Sequence, residues 1–175
     1  MRAHKGIQQN IVHTTTIHTP LGEMFAASTQ KGLCMLCFLD KYHIDAKLEH
    51  IKQMFNATVI PSNNALFERL QKELNEYFEH KRECFDIPLQ LVGTSFQVRA
   101  WRALLEIPYG STISYKQQAQ KMQHPTAHRA VANANAQNMI AIIVPCHRVI
   151  RENSEMGGYA SGVEKKAFLL NLEKK

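Results

Sequence analysis

Long apolar runs are absent from this 175-residue chain, and none approaches the roughly 20 residues that a membrane-spanning helix needs. Residues 1–6 lead into mixed polar and apolar residues, so we expect no secretory signal. Cysteine is scarce: the chain has only four, and their spacing matches no disulfide framework, which excludes a disulfide scaffold. Apolar residues make up 45% and charged residues 21%, a balance that excludes wholesale disorder. These features favour a globular protein of the reducing cytoplasm.

The excess of positive charge lies in one half of the chain. Residues 1–92 carry ten Lys and Arg against ten Asp and Glu, whereas residues 93–175 carry eleven against five. The whole net charge of +6 therefore belongs to the second half. This asymmetry predicts a polyanionic partner for that half, with nucleic acid the first candidate. A solvated basic surface without a partner is the alternative that charge alone leaves open.

The first half of the sequence has the pattern of strands followed by helices. Turn-like residues separate three β-branched or apolar stretches, 11–19, 22–29 and 33–39. This arrangement predicts an antiparallel meander. Apolar residues then recur at helical spacing over 44–55 and 65–78. We expect an α+β domain over residues 1–90 and a second domain over residues 91–175.

The second half has clear helix starts. Thr94 and Gln97 have the spacing of a capping box, which marks the first turn of a helix. Ser114 and Gln117 repeat that spacing, and a further short helix is expected over residues 126–137. Two short helices joined by a tight turn predict a helix-turn-helix unit. Such pairs also occur as plain packing units, which is the alternative.

The helix expected over 126–137 is rich in alanine and poor in large apolar side chains. Its small residues let another surface approach the backbone closely, and Arg129 is the long side chain on that smooth face. We interpret it as a helix that enters a nucleic-acid groove. A tight contact with a second helix is the alternative, because small residues serve that purpose as well.

The candidate chemical centre is the segment Pro145, Cys146, His147 and Arg148, which follows a buried-strand-like run over 142–144. A thiol beside an imidazole and a guanidinium lies in the electropositive setting that lowers the pKa of a cysteine. Neighbouring residues on a helix do not face each other, so His147 would reach the thiol through a water or from a different turn. A buried, inert cysteine is the alternative.

The last helix is expected to begin in a third capping-box pattern, Ser161–Glu164. Its predicted apolar face consists of Ala167, Phe168, Leu169 and Leu172. Glu173 then falls in the last turn, where the helix dipole disfavours a negative charge. By composition alone Glu173 is a solvated helix end.

Pro145–Ile150 resembles the active-site signature of the O6-alkylguanine-DNA alkyltransferases, also called methylated-DNA–protein-cysteine methyltransferases. Further motifs follow in the order and spacing of that family: Phe96-Gln97 with Trp101, Ile113–Tyr115, Arg129–Val131, Asn138 and Gly158-Tyr159. The resemblance is dense over residues 93–175 and loose over the first half. It implies a ribonuclease-H-like first domain with an antiparallel sheet and a helical winged-helix or helix-turn-helix second domain.

The resemblance also implies roles for individual residues. Cys146 would accept the alkyl group, His147 would act as its base through a bridging water, and Glu173 would hold the imidazole. Tyr115 would protonate guanine N3 and help to rotate the nucleotide out of the duplex, and Arg129 would fill the space left in the stack. The other implied site residues brace the active-site turn (Asn138), contact DNA (Ala127, Ala130) or surround the base (Tyr159, Ala160, Val149).

The implied function is DNA repair by irreversible transfer from O6-alkylguanine in double-stranded DNA, with O4-alkylthymine a second candidate substrate. We expect a monomer without cofactor or membrane partner, and cooperative binding along DNA stays open. Cys34 and Cys37 would face opposite sides of a strand, so we expect core packing and not a metal site. Two alternatives are a non-catalytic sensor of alkylated DNA and an unrelated Cys-His hydrolase.

Overall fold

The computed structural model describes residues 10–39 and 44–174. Four strands form the first sheet in the order β3-β2-β1-β4, namely β1 (Asn10–Thr19), β2 (Gly22–Thr29), β3 (Gly32–Phe38) and β4 (Ala57–Pro61). The antiparallel pairing of β1 with β2 and of β2 with β3 is as predicted. The unpredicted β4 pairs in parallel with β1, so the sheet is mixed and not purely antiparallel. Residues 1–6, where we expect no secretory signal, lie outside the described residues.

Two helices belong to this first half, α1 (Ile44–Phe55) and α2 (Ala65–Phe78), with the bounds that their periodicity predicts. Asn64 begins α2, because its side-chain oxygen accepts a hydrogen bond from Phe67 N at 2.9 Å. The face of α2 that carries Phe67, Leu70 and Leu74 is fully buried. Burial of such a stripe is what fixes an amphipathic helix against its sheet.

The second half is helical, with α3 (Ser95–Leu105), α4 (Tyr115–Lys121), α5 (His128–Ala136) and α6 (Val163–Leu172). Two short strands, β5 (Ile113–Ser114) and β6 (Val149–Ile150), pair in parallel between them. The predicted capping boxes at the starts of α3 and α4 are both present. Within the described ranges, no helix combines the length and apolarity needed to cross a membrane.

Buried side-chain amides lock the helix-turn-helix pair α4–α5. Gln118 and Asn135 donate to each other's amide oxygen at 3.1 and 2.7 Å. Gln118 also donates to the Ala100 carbonyl of α3 at 3.1 Å, and Trp101 Nε1 donates to Ala134 O at 2.8 Å. Because these buried groups are satisfied only in one arrangement, they fix the orientation of α5.

The edge strand β3 supports the segment that leads to Cys146. Leu36 N donates to Met139 O at 2.8 Å, and Ala141 N donates to Leu36 O at 2.8 Å. The first half of the chain thus holds the backbone only a few residues before the candidate nucleophile.

Two local predictions for the second half are wrong. Residues 142–144 are not a strand but a series of tight turns, in which Ile142 has a φ of 70° and Cys146 N donates to Val144 O at 2.9 Å. This apolar run is buried without pairing as a strand. No side chain caps α6, because Gly162 is its N-cap residue and the Ser161–Glu164 pattern forms no capping box.

Candidate active site

Cys146 begins a single turn of 3₁₀ helix, Cys146–Arg148, which Arg148 N closes by donating to Pro145 O at 3.0 Å. The Nδ2 of Asn138 lies 3.2 Å from Cys146 Sγ and donates to Val144 O at 2.8 Å. One amide therefore ties the sulfur to the backbone turn before it. This position fits the bracing role expected for Asn138.

His147 makes its hydrogen bond to Glu173 and not to the neighbouring thiol. Its Nε2 lies 2.7 Å from Glu173 Oε1, and both side chains are buried. Its Nδ1 is buried as well and has no protein partner in the described part of the chain. Because a carboxylate only accepts, we assign the proton of the neutral ring to Nε2, which leaves Nδ1 as an acceptor. Burial lowers the pKa of His147 against the opposing effect of Glu173.

Glu173 is buried and receives hydrogen bonds from several parts of the chain. Arg148 donates through Nε to Oε2 at 2.8 Å and through a terminal nitrogen to Oε1 at 3.0 Å. Gly110 N donates to Oε2 at 3.3 Å, and the Tyr77 hydroxyl donates to Oε1 at 2.7 Å. Burial acts to raise the pKa of Glu173, but His147 and Arg148 outweigh it and hold the pKa at about 2. The alternative of a solvated helix end is therefore wrong.

The thiol of Cys146 is not in the electropositive setting that the sequence predicts. Burial raises its pKa, and the hydrogen bond from Asn138 and the charge of Lys166 act in the opposite direction. Arg148 is engaged elsewhere, since it donates to Ile107 O at 2.6 Å and to the buried carboxylate. The expected lowering of the pKa is therefore wrong for the free protein, because the guanidinium neutralises a carboxylate. A thiol in this state needs a base when it reacts.

Lys166 is a buried cation of the site that the sequence analysis missed. Its Nζ donates to Val149 O at 2.6 Å and to Gly158 O at 3.2 Å, and it lies 5.9 Å from the centre of the Tyr115 ring. Burial lowers its pKa to about 8, against the effect of the nearby thiol. The sequence carries one signal of its burial. Lys166 precedes the apolar Leu169 by three residues and therefore lies on the same face of the helix.

A cavity of about 300 Å³ opens onto Cys146. Its other lining residues come from α4, from α5 and from a loop segment of residues 158–160 that we call the lid: Tyr115, Ala132, Asn135, Ala136, Gly158, Tyr159 and Ala160. Four of the predicted site residues therefore line one cavity, namely Tyr115, Cys146, Tyr159 and Ala160. Val149 is buried but does not line it. A larger cavity of about 700 Å³ beside Trp101 lacks Cys146, so we assign the chemistry to the smaller one.

Tyr115 places a hydroxyl at the border of this cavity. Burial raises its pKa, and the nearby Cys146 raises it further, so the phenol stays protonated at neutral pH. Gly157 has a φ of +67°, and a Cβ there would lie 3.2 Å from the Tyr115 hydroxyl oxygen. The loop before the lid can therefore approach Tyr115 closely because position 157 is glycine.

Helix α5 presents different faces to solvent and to the cavity. Arg129 and Ala130 are exposed, and Ala127, which precedes the helix, is half-buried. Ala132 and Ala136 of the same helix line the cavity beside the thiol. A molecule that docks on the outer face of α5 therefore lies close to the entrance of the site.

Cys34 and Cys37 of β3 are part of the core of the first domain, as predicted. Cys34 Sγ donates to Ala27 O at 3.3 Å, and Cys37 Sγ donates to Met139 O at 3.4 Å. Burial raises the pKa of Cys34 to about 12. Over residues 10–39 and 44–174, no group of three His, Cys, Asp or Glu is arranged to hold a metal ion.

The fold and the site together define a class of protein, in which a helix-turn-helix domain carries a cysteine beside a small cavity and a buried His–Glu pair. Residues 12–91 match the family described as "6-O-methylguanine DNA methyltransferase, ribonuclease-like domain". Residues 95–175 match "6-O-methylguanine DNA methyltransferase, DNA binding domain". The chain belongs to the 6-O-methylguanine DNA methyltransferase family.

Individual relatives resemble the chain over nearly its whole length. A methylated-DNA–protein-cysteine methyltransferase of Methanosarcina barkeri is 43% identical over 158 residues, which cover 90% of this chain and 94% of the relative. The crystal structure of the Mycobacterium tuberculosis O6-methylguanine methyltransferase is 40% identical with a TM-score of 0.79 and covers 93% of each chain. A structure of the M. tuberculosis protein in complex with DNA is 39% identical with a TM-score of 0.76, covering 94% of this chain and 92% of that chain.

Proposed function

We propose that this chain repairs DNA by direct damage reversal, in which the alkyl group of O6-alkylguanine in double-stranded DNA moves to Cys146. The observation that carries this proposal is the position of Cys146 on a small cavity and next to the buried His147–Glu173 pair. The family match and the names of the relatives support DNA as the partner and a methyl group as one cargo.

The proposed reaction uses the residues around the thiol. The proton of Cys146 passes through a bridging water to Nδ1 of His147, and the carboxylate of Glu173 stabilises the resulting imidazolium. The sulfur attacks the saturated alkyl carbon, so an S–C bond forms while the C–O6 bond breaks. The electron pair of the broken bond leaves with the base, and Tyr115 donates a proton to guanine N3. Overall, thiol and alkylguanine become thioether and guanine, and the thiol proton balances the one that guanine gains.

The reaction ends in a thioether, and this explains why we expect each molecule to act once. A thioether sulfur is not a leaving group for the His, Glu and Tyr side chains of this site. Cys146 is therefore consumed, and the protein is a stoichiometric acceptor instead of a turnover catalyst. The amount of DNA repaired should equal the amount of active protein.

A buried thiol cannot reach a base inside the stacked duplex, so the nucleotide must rotate into the cavity. We place α5 in the minor groove, where Ala127 and Ala130 allow close approach and Arg129 enters the space that the base leaves. The flipped base would lie between Tyr159 and Ala160 of the lid and the thiol. Val149 does not line the cavity, so we assign its role in the site to its backbone carbonyl oxygen. This oxygen accepts a hydrogen bond from the buried ammonium group of Lys166.

The direct experiment is to mix the protein with a duplex that carries a single O6-methylguanine and to map the added methyl by peptide mass spectrometry. The proposal predicts one methyl group on Cys146 and unmodified guanine in the DNA. A methyl group that stays on the DNA, or one that is found on Cys34, Cys37 or Cys84, contradicts it.

The alternatives from the sequence are not favoured. A sensor without transfer has no need of a nucleophile, whereas Cys146 lies on the cavity and is hydrogen-bonded to Asn138. A Cys-His hydrolase would turn over repeatedly on a thioester, which the same protein preparation tests. We infer a monomer that acts in the cytoplasm, in keeping with thiols that do not form a disulfide framework.

A further inference from the structure

The carboxylate of Glu173 is held from both halves of the chain. Arg148 and Gly110 contact it from the second half. Tyr77, near the end of α2, contacts it from the first half and is 96 residues distant in sequence. Its hydroxyl donates to Oε1 at 2.7 Å, and the same oxygen lies 2.7 Å from His147 Nε2.

The packing around Tyr77 fixes the position of this hydroxyl. The Tyr77 side chain is fully buried. Its ring centre lies 5.3 Å from that of Phe85 and 6.0 Å from that of Tyr109, the second contact being edge-to-face. Burial, and then the charge of Glu173, raise the pKa of Tyr77, so the hydroxyl is a neutral donor at physiological pH. The ring cannot turn without disturbing the aromatic core around it.

We propose that Tyr77 is a positioning residue for the alkyl transfer, through which the first domain sets the orientation of Glu173 and thereby the basicity of His147. The inference rests on the proposed function, because it concerns the base that serves Cys146. The first domain then contributes to the reaction itself, in addition to holding residues 139–141 at the edge of its sheet.

The direction of the effect follows from the shared oxygen. Oε1 accepts from Tyr77 and from His147, so each donor weakens the hold of the carboxylate on the other. Without the Tyr77 hydroxyl, more negative charge is available to the imidazolium, and the pKa of His147 rises. The carboxylate also loses one restraint on its rotation, so the fraction of molecules with a correctly placed base falls.

The test is Tyr77→Phe, with Tyr109→Phe as the matched control. Both variants lose one hydroxyl at the same domain junction and keep the ring that fills the core. The Tyr109 hydroxyl donates to Leu172 O at 3.2 Å and has no hydrogen bond to the Glu173 carboxylate. The rate of methyl transfer from the duplex is measured from about pH 5 to about pH 9, together with the thermal unfolding of each variant.

We expect Tyr77→Phe to lower the plateau rate about threefold to tenfold, the size of effect typical of one ordinary hydrogen bond. We expect the acid limb of its profile to move up by roughly half a pH unit, while Tyr109→Phe follows the wild type. If the Tyr77→Phe and wild-type profiles superimpose, the inference is wrong.

The failure of this inference can be told apart from the failure of the proposed function. If the wild type transfers methyl groups and Glu173→Gln slows transfer, but Tyr77→Phe matches the wild type, only the role of Tyr77 is refuted. A second readout needs no transfer at all, namely the nitrogen-15 NMR titration of His147. An unchanged His147 titration in folded Tyr77→Phe overturns the inference in that case too.

Discussion

The outer face of α5 and the buried network around Glu173 are two regions of the protein with opposite construction. On α5, Arg129 and its alanine neighbours are exposed, and they lie within one short stretch of sequence. Around Glu173 the polar groups are buried, and they are contributed by Tyr77, Gly110, His147 and Arg148. The first region can change its contacts when DNA binds, whereas in the second the Glu173 carboxylate already holds its hydrogen-bond partners before any substrate binds.

Because of this difference, the two regions contribute to different free energies. An exposed arginine contributes little to the stability of the free protein, so its contribution is to binding in the DNA complex. A buried carboxylate that loses a partner leaves an uncompensated charge in the protein. Substitutions on α5 should therefore change access to DNA, and substitutions around Glu173 should change both chemistry and stability.

The largest effect is expected for Glu173→Gln. The change leaves Arg148 without its carboxylate and replaces the charged acceptor of His147 by a neutral amide oxygen, so the unfolding free energy should fall by about 3–5 kcal/mol. Methyl transfer should slow by about a hundredfold, because the imidazolium loses its counter-charge. Denaturant unfolding and single-turnover transfer measure the two effects. Glu164→Gln, an exposed position on the same helix, is the control and should behave as the wild type.

The DNA affinity of folded Glu173→Gln tests whether the α5 surface and the Glu173 network act separately. We expect this affinity to change very little. Salt-dependent DNA binding of this variant should follow the wild-type curve, since the carboxylate is buried and not available to the phosphates of DNA. A large loss of DNA affinity would show that the two regions are not separate.

A smaller effect is expected for Arg129→Ala, and it should depend on the substrate. Transfer from the duplex should fall roughly tenfold, because the side chain that supports the extruded base is lost. Transfer from free O6-methylguanine should be unchanged, since no stack has to be opened. Rates on the two substrates are compared in one assay, with Lys72→Ala of the first domain as a control for loss of one positive charge. Equal losses of rate on both substrates would show that Arg129 does not act in the extrusion of the base.

The smallest effect is expected for Lys166→Met. The ammonium lowers the pKa of Cys146, so its removal should move the alkaline rise of thiol reactivity to higher pH. Alkylation of Cys146 by iodoacetamide, followed over pH by peptide mass spectrometry, measures this shift. Lys165→Met is the control, because the Lys165 ammonium lies over the Phe38 ring at 5.3 Å. Identical profiles would show that Lys166 serves only to join Val149 O to Gly158 O.

The sequence predicts those features whose causes are local. The helices over 44–55 and 65–78 follow from their periodicity, and the capping boxes at Thr94 and Ser114 follow from adjacent side chains. The third capping pattern fails at Ser161 because the chain enters α6 through Gly162, which has a φ of 98° and no side chain that could cap the helix. Local propensity yields there to the path that the loop must take.

The residues around the thiol are predicted less completely, because burial decides their chemistry. Arg148 is adjacent to Cys146 in sequence, yet it pairs with Glu173. Lys166 reads as a surface residue, and only the packed helix shows its ammonium between two carbonyl groups. The Tyr77 contact spans the two domains and has no sequence signal at all. Contacts between distant segments set the pKa values here, and neighbouring residue types do not reveal them.

The most direct test of the account is the stoichiometry of transfer by the wild type and by Cys146→Ser. A duplex that carries one O6-methylguanine is mixed in excess with the protein, and repaired guanine, S-methylcysteine and bound DNA are counted together. We expect the wild type to form one S-methylcysteine at Cys146 for each guanine restored, and then no more. We expect Cys146→Ser to bind the same duplex with similar affinity and to restore none. Restoration of guanine by Cys146→Ser, or repeated turnover by the wild type, would contradict it.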